Sequence, residues 1–467
     1  MQKSGTEGSA ASDWVPDLKE PSVGARSALP KYLAIVQALE QAVRTGILRP
    51  GERLPTQRAL ATRLGIDLTT VTRAYGLARD SGLIEGAGKL GSFVRNSAGH
   101  AMRAGVEESG MILPPQPGFG LLGEAMRTGL TRLLRAGGGS PLLQYHPAAG
   151  NVQDRRQAAT AFTARGLSTG EGQVVIAAGG QHALHGIVAA ALNSGDRLCV
   201  GRSCYPGILS VARRRGLRLV PIDQDAGGID PDAFARAAAA GVRALYIVPT
   251  NDNPTTATLD DARRHALVDI ARRHGVTIIE DDAYGLLPAK PPPPLAVLAP
   301  ERTWHIASVS KIISPVLRVA HVRIPDGLDA AALAAAGQET TVMAPPVNVA
   351  LVTSWLRDGT FDRLIAAVRA EGVARQRIAA RHLMGMNYAA HPEGYHIWLK
   401  LPTGIDAAAL AGRFAPAGLS IVAGDAFASH PAKAEPAVRL SIGGAIDHGQ
   451  LDRAFGWLAA LLRGEEE

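Results

Sequence analysis

The chain has 467 residues, of which 46% are hydrophobic, and a formal net charge of +7 at pH 7. This length predicts more than one domain, and no long apolar run or secretory signal argues for a membrane or secreted protein. Two cysteines, Cys199 and Cys204, are too few for a disulfide framework. We therefore expect a cytoplasmic protein with no membrane partner, no metal site and a disordered lead at residues 1–27.

The positive charge is concentrated near the N-terminus. Eleven Lys and Arg residues, but only five Asp and Glu residues, lie between Arg26 and Arg95, whereas the rest of the chain is nearly neutral. A basic module joined to a nearly neutral body indicates a polyanionic partner for the module alone.

Residues 28–95 show the pattern of three helices followed by a β-hairpin. Apolar residues recur at helical spacing over residues 32–43. Thr56 is a candidate N-cap of a second helix, and a third helix is predicted over residues 69–82. Two short strands within residues 83–94 complete the layout of a winged helix-turn-helix.

The same region closely resembles the GntR-type winged-helix DNA-binding domain. The matching runs are GILRPGERLPTQR at residues 46–58, TTV at residues 69–71 and GSFV at residues 91–94. The resemblance implies that double-stranded DNA is contacted by Arg58, Thr69, Thr70, Arg73 and Lys89. Arg58 and the third helix would lie at the major groove, and Lys89 on the wing. For each residue taken alone, a solvated helix face is the alternative.

Residues 96–117 lack periodicity and are predicted to be a mostly flexible linker. Residues 118–467 alternate between strand and helix patterns, which predicts a mostly parallel α/β sheet covered by helices on both faces. The strand candidates are residues 174–176, 197–200, 218–222, 244–248, 276–280 and 303–307. Later strands at residues 395–401 and 437–442 predict a small C-terminal subdomain.

Several strand candidates are followed by residues that suit a phosphorylated aromatic ligand. A glycine pair before Gln181 can expose N–H groups to a phosphate, although a tight turn explains it equally well. Tyr205 could stack on a ring, and Asn253 offers an amide to a ring hydroxyl. Asp281, at the end of a strand, could pair with a protonated ring nitrogen. A packing tyrosine, a turn asparagine and a helix N-cap are the respective alternatives.

The series ends at SVSK, residues 308–311, followed by Arg318. Lys311 is one of eight lysines, and it alone lies between an apolar run and a cluster of Ser and Arg residues. A desolvated lysine can form a Schiff base with an aldehyde, and hydroxyl and guanidinium groups hold phosphate. The combination indicates a pyridoxal 5′-phosphate (PLP) site; a solvated surface lysine is the alternative for this stretch alone.

In this order the motifs resemble the fold-type I PLP-dependent aminotransferases over residues 115–467. The resemblance implies that Lys311 forms the internal aldimine and that Asp281 pairs with the pyridine nitrogen. The other implied cofactor contacts are Tyr284 and Asn253 at the ring hydroxyl, Tyr205 stacked on the ring, Gly180, Gln181, Ser308 and Arg318 at the phosphate, and Tyr145 at the phosphate of a neighbouring subunit. Thr256 and the pair Ala177-Ala178 depart from the family pattern.

Arg439 lies on a strand candidate among apolar neighbours. A buried arginine needs a partner, and a planar carboxylate is its natural one. By resemblance, Arg439 would bind the α-carboxylate of an amino acid; an internal salt bridge is the alternative.

A GntR-type winged helix fused to a fold-type I aminotransferase-like domain resembles the MocR family of bacterial transcriptional regulators. The resemblance implies a homodimer in which PLP, or an amino acid or amine forming an external aldimine on it, modulates DNA binding. An active aminotransferase with an accessory winged helix is the principal alternative. A DNA-binding protein with a cofactor-free domain is the third hypothesis.

Overall fold

The structure is a computed structural model, and it describes residues 14–15, 31–44, 47–49, 51–80, 83–86, 91–95, 110–116, 120–135, 144–430 and 434–465. The chain separates into two compact units. The first consists of Met1–Ser109, Pro117–Gly123 and Asp447–Arg453, and the second of Gly110–Gln116, Glu124–Ile446 and Ala454–Glu467. Within the described ranges, we find no helix with the length and apolarity needed to cross a membrane.

The first unit contains the expected winged helix. Its elements are α1 (Lys31–Arg44), α2 (Gln57–Leu64), α3 (Leu68–Asp80), β1 (Ile84–Gly86) and β2 (Ser92–Val94). The Thr56 hydroxyl accepts from the Ala59 N–H, and Gly65 ends α2 in the left-handed region at φ 61°. Both ends of α2 therefore follow from local sequence, as the N-cap and C-cap preferences predict.

The core of this unit is formed by apolar residues from all three helices and the hairpin. Ile35, Val71 and Ala78 are buried in it, and fully burying a large aliphatic side chain such as Ile35 stabilises the fold by about 1.5–3 kcal/mol. Trp14 is also part of this core, with 4% of its surface exposed. The prediction that residues 1–27 are disordered is therefore wrong at Trp14. Of the other residues in this segment, the structure describes only Val15.

The second unit is built on a seven-stranded sheet. Its strands are β3 (Val174–Ala177), β4 (Arg197–Gly201), β5 (Arg218–Ile222), β8 (Ala244–Ile247), β9 (Thr277–Asp281), β10 (Thr303–Ser308) and β11 (Ala320–Arg323), and a small ladder joins β6 (Gln224–Asp225) to β7 (Gly228–Ile229). The order is β3-β11-β10-β9-β8-β4-β5. Only β11 runs antiparallel to its neighbours, so the mostly parallel sheet is confirmed. The strand β11 itself was not predicted.

Helices connect these strands and continue into the C-terminal part. They are α4 (Leu121–Arg135), α5 (Val152–Ala164), α6 (Gly180–Ala191), α7 (Pro206–Arg214), α8 (Pro231–Ala239), α9 (Asp261–His274), α10 (Leu295–Leu298), α11 (Ala330–Gln338), α12 (Pro346–Asp358), α13 (Thr360–His382), α14 (Ala407–Phe414) and α15 (His448–Arg463). The buried sheet faces need this cover because parallel strands are apolar on both sides.

A second, four-stranded sheet forms the expected small subdomain. Its strands are β12 (Tyr388–Ala390), β13 (His396–Lys400), β14 (Ser420–Ala423) and β15 (Ala437–Ser441), in the order β12-β13-β15-β14. Arg439 lies at the centre of this sheet, since it is opposite Trp398 on one side and Val422 on the other.

Candidate functional site

A cavity in the second unit collects nearly all of the residues predicted to bind the cofactor. It has a volume of about 610 Å³ and lies at the carboxyl ends of the parallel strands. Its lining includes Gly180, Gln181, Tyr205, Asn253, Asp281, Tyr284, Ser308, Lys311 and Arg318. Met111, Val248, Ala283, Ser310 and Pro315 also line it. Parallel strands bring residues distant in sequence to one edge of the sheet, where ligands bind.

Lys311 is the last residue of a short 3-10 turn, Val309–Lys311, that follows β10. Its Nζ donates to the Ile112 carbonyl at 2.6 Å. Burial, and after it the nearby Arg439 guanidinium, lowers the pKa of Lys311 to about 8, while the Asp281 carboxylate acts in the opposite direction. The Lys311 amine can therefore lose its proton near neutral pH, as nucleophilic attack requires.

The acidic residues Glu280 and Asp281 are neighbours in β9, and their side chains face opposite sides of the sheet. Glu280 accepts from the Leu295 and Ala296 N–H groups at 2.6 and 3.1 Å and lies 2.8 Å from His305 Nδ1. Asp281 points the other way, into the cavity, because successive side chains of a strand face opposite sides.

Tyr246, on the neighbouring strand β8, was missed by the sequence analysis. Its hydroxyl donates to Asp281 Oδ2 at 3.0 Å. Burial raises the pKa of Asp281 to about 6, while the Tyr246 hydrogen bond acts in the opposite direction. Strand alternation could have suggested an inward Tyr246, but its partner depends on the pairing of β8 with β9.

Tyr284 and Asn253 both line the cavity. Tyr284 is buried, and its hydroxyl is without a hydrogen-bond partner among the described residues. Asn253 Oδ1 accepts from Arg439 Nη1 at 3.0 Å. A buried hydroxyl that lacks a protein partner is costly unless a ligand supplies one.

The lining around Gly180 and Arg318 has the features of a phosphate cradle. Gly180 begins α6, and the preceding Gly179 has φ 91°. A Cβ built on Gly179 would lie 2.9 Å from the Arg318 guanidinium carbon, so only glycine fits there. Arg318 also donates to the Ala178 carbonyl at 2.7 Å.

Ser310 belongs to the predicted SVSK run, but the sequence analysis assigned it no cofactor contact of its own. Its buried Oγ has no partner in the part of the chain that the structure describes. Together with the Tyr284 hydroxyl and the glycine turn beside Arg318, it shows that the cavity offers partners for a ligand that carries both a hydroxyl and a phosphate. The residues present therefore fit PLP.

The two tyrosines of the prediction occupy different environments. Tyr205 lines the cavity, and burial raises its pKa to about 12. Tyr145 is 83% exposed and is not part of the cavity lining. Its contact with a neighbouring subunit remains a prediction.

Arg439 projects from β15 and is 2% exposed. It donates to Asn253 and to the Gly110 carbonyl, and it lies over the Phe427 ring with a distance of 4.8 Å from Cζ to the centroid. Burial lowers the pKa of Arg439 to about 10. These acceptors are an amide and a main-chain carbonyl rather than a carboxylate, so they do not support the alternative of an internal salt bridge.

Residues 110–116 differ from the flexible linker predicted for residues 96–117. They belong to the second unit, and Met111 lines the cavity. They carry no helical or strand periodicity, so only the tertiary contacts reveal their position. Residues 96–109 and 117 lie outside the described residues.

The predicted DNA-contacting residues in the first unit are mainly exposed. Arg58 is on α2, and Thr69, Thr70 and Arg73 are on α3. The Arg73 guanidinium lies 4.1 Å from the centroid of the Tyr32 ring. Lys89 falls outside the part of the chain that the structure describes.

Asp67 organises the start of α3, which the sequence analysis placed at Thr69. Its Oδ1 accepts from the Thr69 N–H at 2.7 Å and from the Thr69 hydroxyl at 2.5 Å. Both hydrogen bonds lower the pKa of Asp67, and the bond from the Thr69 hydroxyl has the larger effect. The Thr69 hydroxyl therefore hydrogen-bonds at the start of α3 in this structure, and its contact with DNA stays a prediction.

Two family profiles match the chain. The profile described as "Bacterial regulatory proteins, gntR family" matches residues 31–94, and "Aminotransferase class I and II" matches residues 122–454. The two matches coincide with the winged helix and with the sheet that carries the cavity.

Two relatives that align over most of the chain are named as transcriptional regulators. The uncharacterized HTH-type transcriptional regulator YdeF of Bacillus subtilis is 27% identical over 431 residues, covering 91% of this chain and 92% of the relative. The vitamin B6 salvage pathway transcriptional repressor PtsJ of Salmonella typhimurium is 28% identical, covering 84% and 90%.

Among solved structures, the second unit is similar to aminotransferases. LysN, an alpha-aminoadipate aminotransferase from Thermus thermophilus solved with N-(5′-phosphopyridoxyl)-L-leucine, is 26% identical with a TM-score of 0.67. The likeness covers 77% of this chain and 93% of that one. The fold-type I architecture predicted from the motifs is thereby confirmed.

Proposed function

The chain belongs to the aminotransferase class I and II family and carries a GntR-family domain ahead of it, and from this premise we propose that it is a MocR-type regulator in which a ligand at the PLP cavity changes DNA affinity. PLP is the cofactor, and double-stranded DNA is the macromolecular partner. The cytoplasm, where both are present, is the proposed location.

One observation carries this proposal. A basic winged helix is part of the same chain as a cavity that is lined by half-buried Lys311 and buried Asp281 and that has buried Arg439 beside it, hydrogen-bonded to the lining residue Asn253. A plain DNA-binding protein gains nothing from enclosing a lysine, a carboxylate and a guanidinium, because taking charged groups out of water costs free energy that their hydrogen bonds must first offset. Their retention next to a DNA-binding domain supports ligand sensing.

Different cavity residues would bind different parts of the cofactor. When bound, PLP supplies an aldehyde that reacts with amines and a ring that withdraws electrons. Lys311 provides the amine for that aldehyde, and Asp281 holds a proton at the ring nitrogen. Tyr284 and Asn253 orient the ring hydroxyl, while Gly180, Gln181, Ser308, Ser310 and Arg318 bind the phosphate.

The effector would be an amino acid or an amine, and Arg439 would select the former. Its guanidinium is suited to hold a carboxylate through two hydrogen bonds. Tyr145, exposed in one subunit, would complete the phosphate site of the other subunit in a homodimer. Two winged helices would then bind two DNA half-sites.

Binding of the full-length protein to DNA from its own upstream region tests the proposal. PLP-loaded and PLP-stripped protein should be compared at one stated salt concentration, with and without a panel of amino acids. We expect specific binding that changes at least about fivefold, since allosteric couplings are commonly about 1–3 kcal/mol. Specific binding that no ligand alters would overturn the proposal.

A working aminotransferase is the second candidate, and the cavity favours it through the low pKa of Lys311. An amine that is neutral near pH 8 can move a proton as well as bond to an aldehyde. Multiple-turnover conversion of an amino acid and a 2-oxo acid, lost in Lys311→Ala, would establish this activity. A single stoichiometric half-reaction without turnover would favour the regulator.

A further inference from the structure

Residues 110–116, here named the strap, join the winged helix to the second unit along the chain and are firmly packed in that unit. Ile112 is 1% exposed. The Gly444 N–H donates to the Pro114 carbonyl at 3.2 Å, and Pro115 forms a β-bridge with Gly444. The strap is therefore held in the second unit by side-chain burial and by main-chain hydrogen bonds.

The turn at Gly443 and Gly444 can pack against the strap because glycine has no side chain. A Cβ built on Gly443 would lie 1.8 Å from the Leu113 carbonyl oxygen. Arg375 fixes this turn, since its Nη1 donates to the carbonyls of Ile442 and Gly444 at 2.9 and 3.3 Å. Any side chain at position 443 must displace the strap or the turn.

Two strap carbonyls accept hydrogen bonds from two cationic side chains, Lys311 and Arg439. The Ile112 carbonyl accepts from Lys311 Nζ at 2.6 Å, and the Gly110 carbonyl accepts from the Arg439 guanidinium. Lys311 is the predicted attachment point for PLP, and Arg439 is the predicted carboxylate site. The strap therefore engages both groups that the ligands need.

The lysine contact conflicts with PLP attachment. When a lysine amine joins an aldehyde, a C=N bond replaces the C=O bond, and the aldehyde oxygen leaves as water with two amine hydrogens. The nitrogen then keeps at most one hydrogen, which lies in the plane of the C=N group. Lys311 bonded to PLP therefore cannot donate to the Ile112 carbonyl as the free amine does in this structure.

The arginine contact conflicts with carboxylate binding in a similar way. A carboxylate accepts two charge-assisted hydrogen bonds from a guanidinium, whereas a main-chain carbonyl is neutral. A bound carboxylate would therefore replace the Gly110 carbonyl at Arg439.

We propose that the strap competes with PLP at Lys311 and with the effector carboxylate at Arg439, so that ligand binding releases the segment that leads to the winged helix. This inference rests on the proposed function and specifies its regulation. A ligand shifts a two-state equilibrium only by its differential affinity, and here the difference arises because the strap and the ligand use the same donors.

A cysteine at position 112 would report the state of the strap. The two native cysteines, Cys199 and Cys204, are 0% and 4% exposed, so an Ile112→Cys thiol is protected only while the strap is seated. We expect saturating PLP to raise its labelling rate about tenfold, as local opening exposes buried groups. Wild-type protein gives the background rate and reports any global loosening.

Pyridoxamine 5′-phosphate separates the lysine contact from simple occupancy, because it has an amine in place of the aldehyde. It should leave the labelling rate within about twofold of the unliganded value. An equal rise with both compounds would contradict the role of Lys311. An unchanged rate with PLP, in protein that binds PLP, would overturn the whole inference.

A second variant loosens the strap without touching a cavity residue. Gly443→Ala should bind PLP several-fold more tightly than wild type, because the competitor is weakened. Its DNA affinity without PLP should approach that of PLP-loaded wild type. Gly412→Ala is the matched control, since a Cβ there meets nothing within 4 Å. Thermal unfolding establishes that both variants are folded.

The outcomes distinguish this inference from the proposed function. If wild type binds PLP and its DNA affinity responds, but Gly443→Ala behaves like Gly412→Ala, the strap mechanism is wrong and the regulator stands. If Gly443→Ala does not fold, the Ile112→Cys labelling rate decides alone. If wild type does not bind PLP, both proposals are wrong.

Discussion

The winged helix and the cavity use charge in opposite ways. Arg58 and Arg73 are exposed on the winged helix, whereas Arg439 is 2% and Asp281 8% exposed in the second unit. Exposed charges act jointly on a polyanion and are screened by salt. Buried charges act singly, because burial itself shifts the pKa of Lys311, Asp281 and Arg439. One substitution should therefore matter far more in the cavity than on the DNA-binding face.

Replacement of the cavity lysine is the largest expected effect. Lys311→Ala removes the amine that bonds to the aldehyde, and we expect PLP affinity to fall more than about 100-fold, which corresponds to about 2.8 kcal/mol. Absorbance titration with PLP measures it. Lys400→Ala, at an exposed lysine, should bind PLP like wild type. A Lys311→Ala affinity within tenfold of wild type would contradict the assigned role.

The pH dependence of PLP uptake sharpens the contrast between buried and exposed lysines. Only the neutral amine attacks an aldehyde, and burial, with help from Arg439, lowers the pKa of Lys311 to about 8. The uptake rate should rise about tenfold per pH unit below pH 8 and then level off. Stopped-flow absorbance between pH 6 and pH 10 measures it. A rate still rising steeply above pH 9 would show an ordinary lysine.

Removal of one charge from the winged helix should have a smaller effect. Arg58→Ala should weaken binding to the upstream DNA about fivefold, because one arginine–base contact contributes about 1–3 kcal/mol. Fluorescence anisotropy at two salt concentrations measures it. Arg156→Ala, an exposed arginine of the second unit paired with Glu171, is the control. Equal losses in both variants would place DNA contacts outside the winged helix.

The Tyr246–Asp281 hydrogen bond should have the smallest effect of the four. Tyr246→Phe removes this hydrogen bond, which lowers the Asp281 pKa and so opposes the effect of burial. In the variant the Asp281 pKa therefore rises above about 6, and a smaller fraction of Asp281 is ionised at pH 7. We expect PLP affinity about threefold weaker at pH 7 and nearly normal at pH 8.5. Tyr388→Phe, on β12, is the control. A loss independent of pH would indicate a packing role.

Local chemistry decides the features that the sequence predicts correctly. The Thr56 N-cap at the start of α2 follows from capping preferences, and the mostly parallel sheet follows from its strand pattern. Of the small sheet, β13 and β15 were predicted, but β12 and β14 were not. Nine of the ten predicted cofactor contacts line one cavity because strand ends of a parallel sheet share an edge. Tyr145 is the tenth, and its role depends on a second subunit.

Other features have no local signature. Trp14 lies in a stretch rich in polar and small residues, yet it packs in the winged-helix core. The strap has no periodicity, and β11 is a four-residue strand between loops. Short segments such as these gain their stability from burial against distant residues, so their own composition does not reveal them.

The sequence by itself determined the two families, the order of the domains, and the lysine, carboxylate and arginine of the cavity, because each depends on residue type and spacing along the chain. Tertiary structure alone decided that Tyr246 holds Asp281, that Ser310 faces the cavity, and that the Ile112 and Gly110 carbonyls meet Lys311 and Arg439. These contacts join residues far apart in sequence, with the strap and Arg439 separated by more than three hundred positions. Main-chain carbonyls carry no residue identity, so only the fold can place them beside a charge.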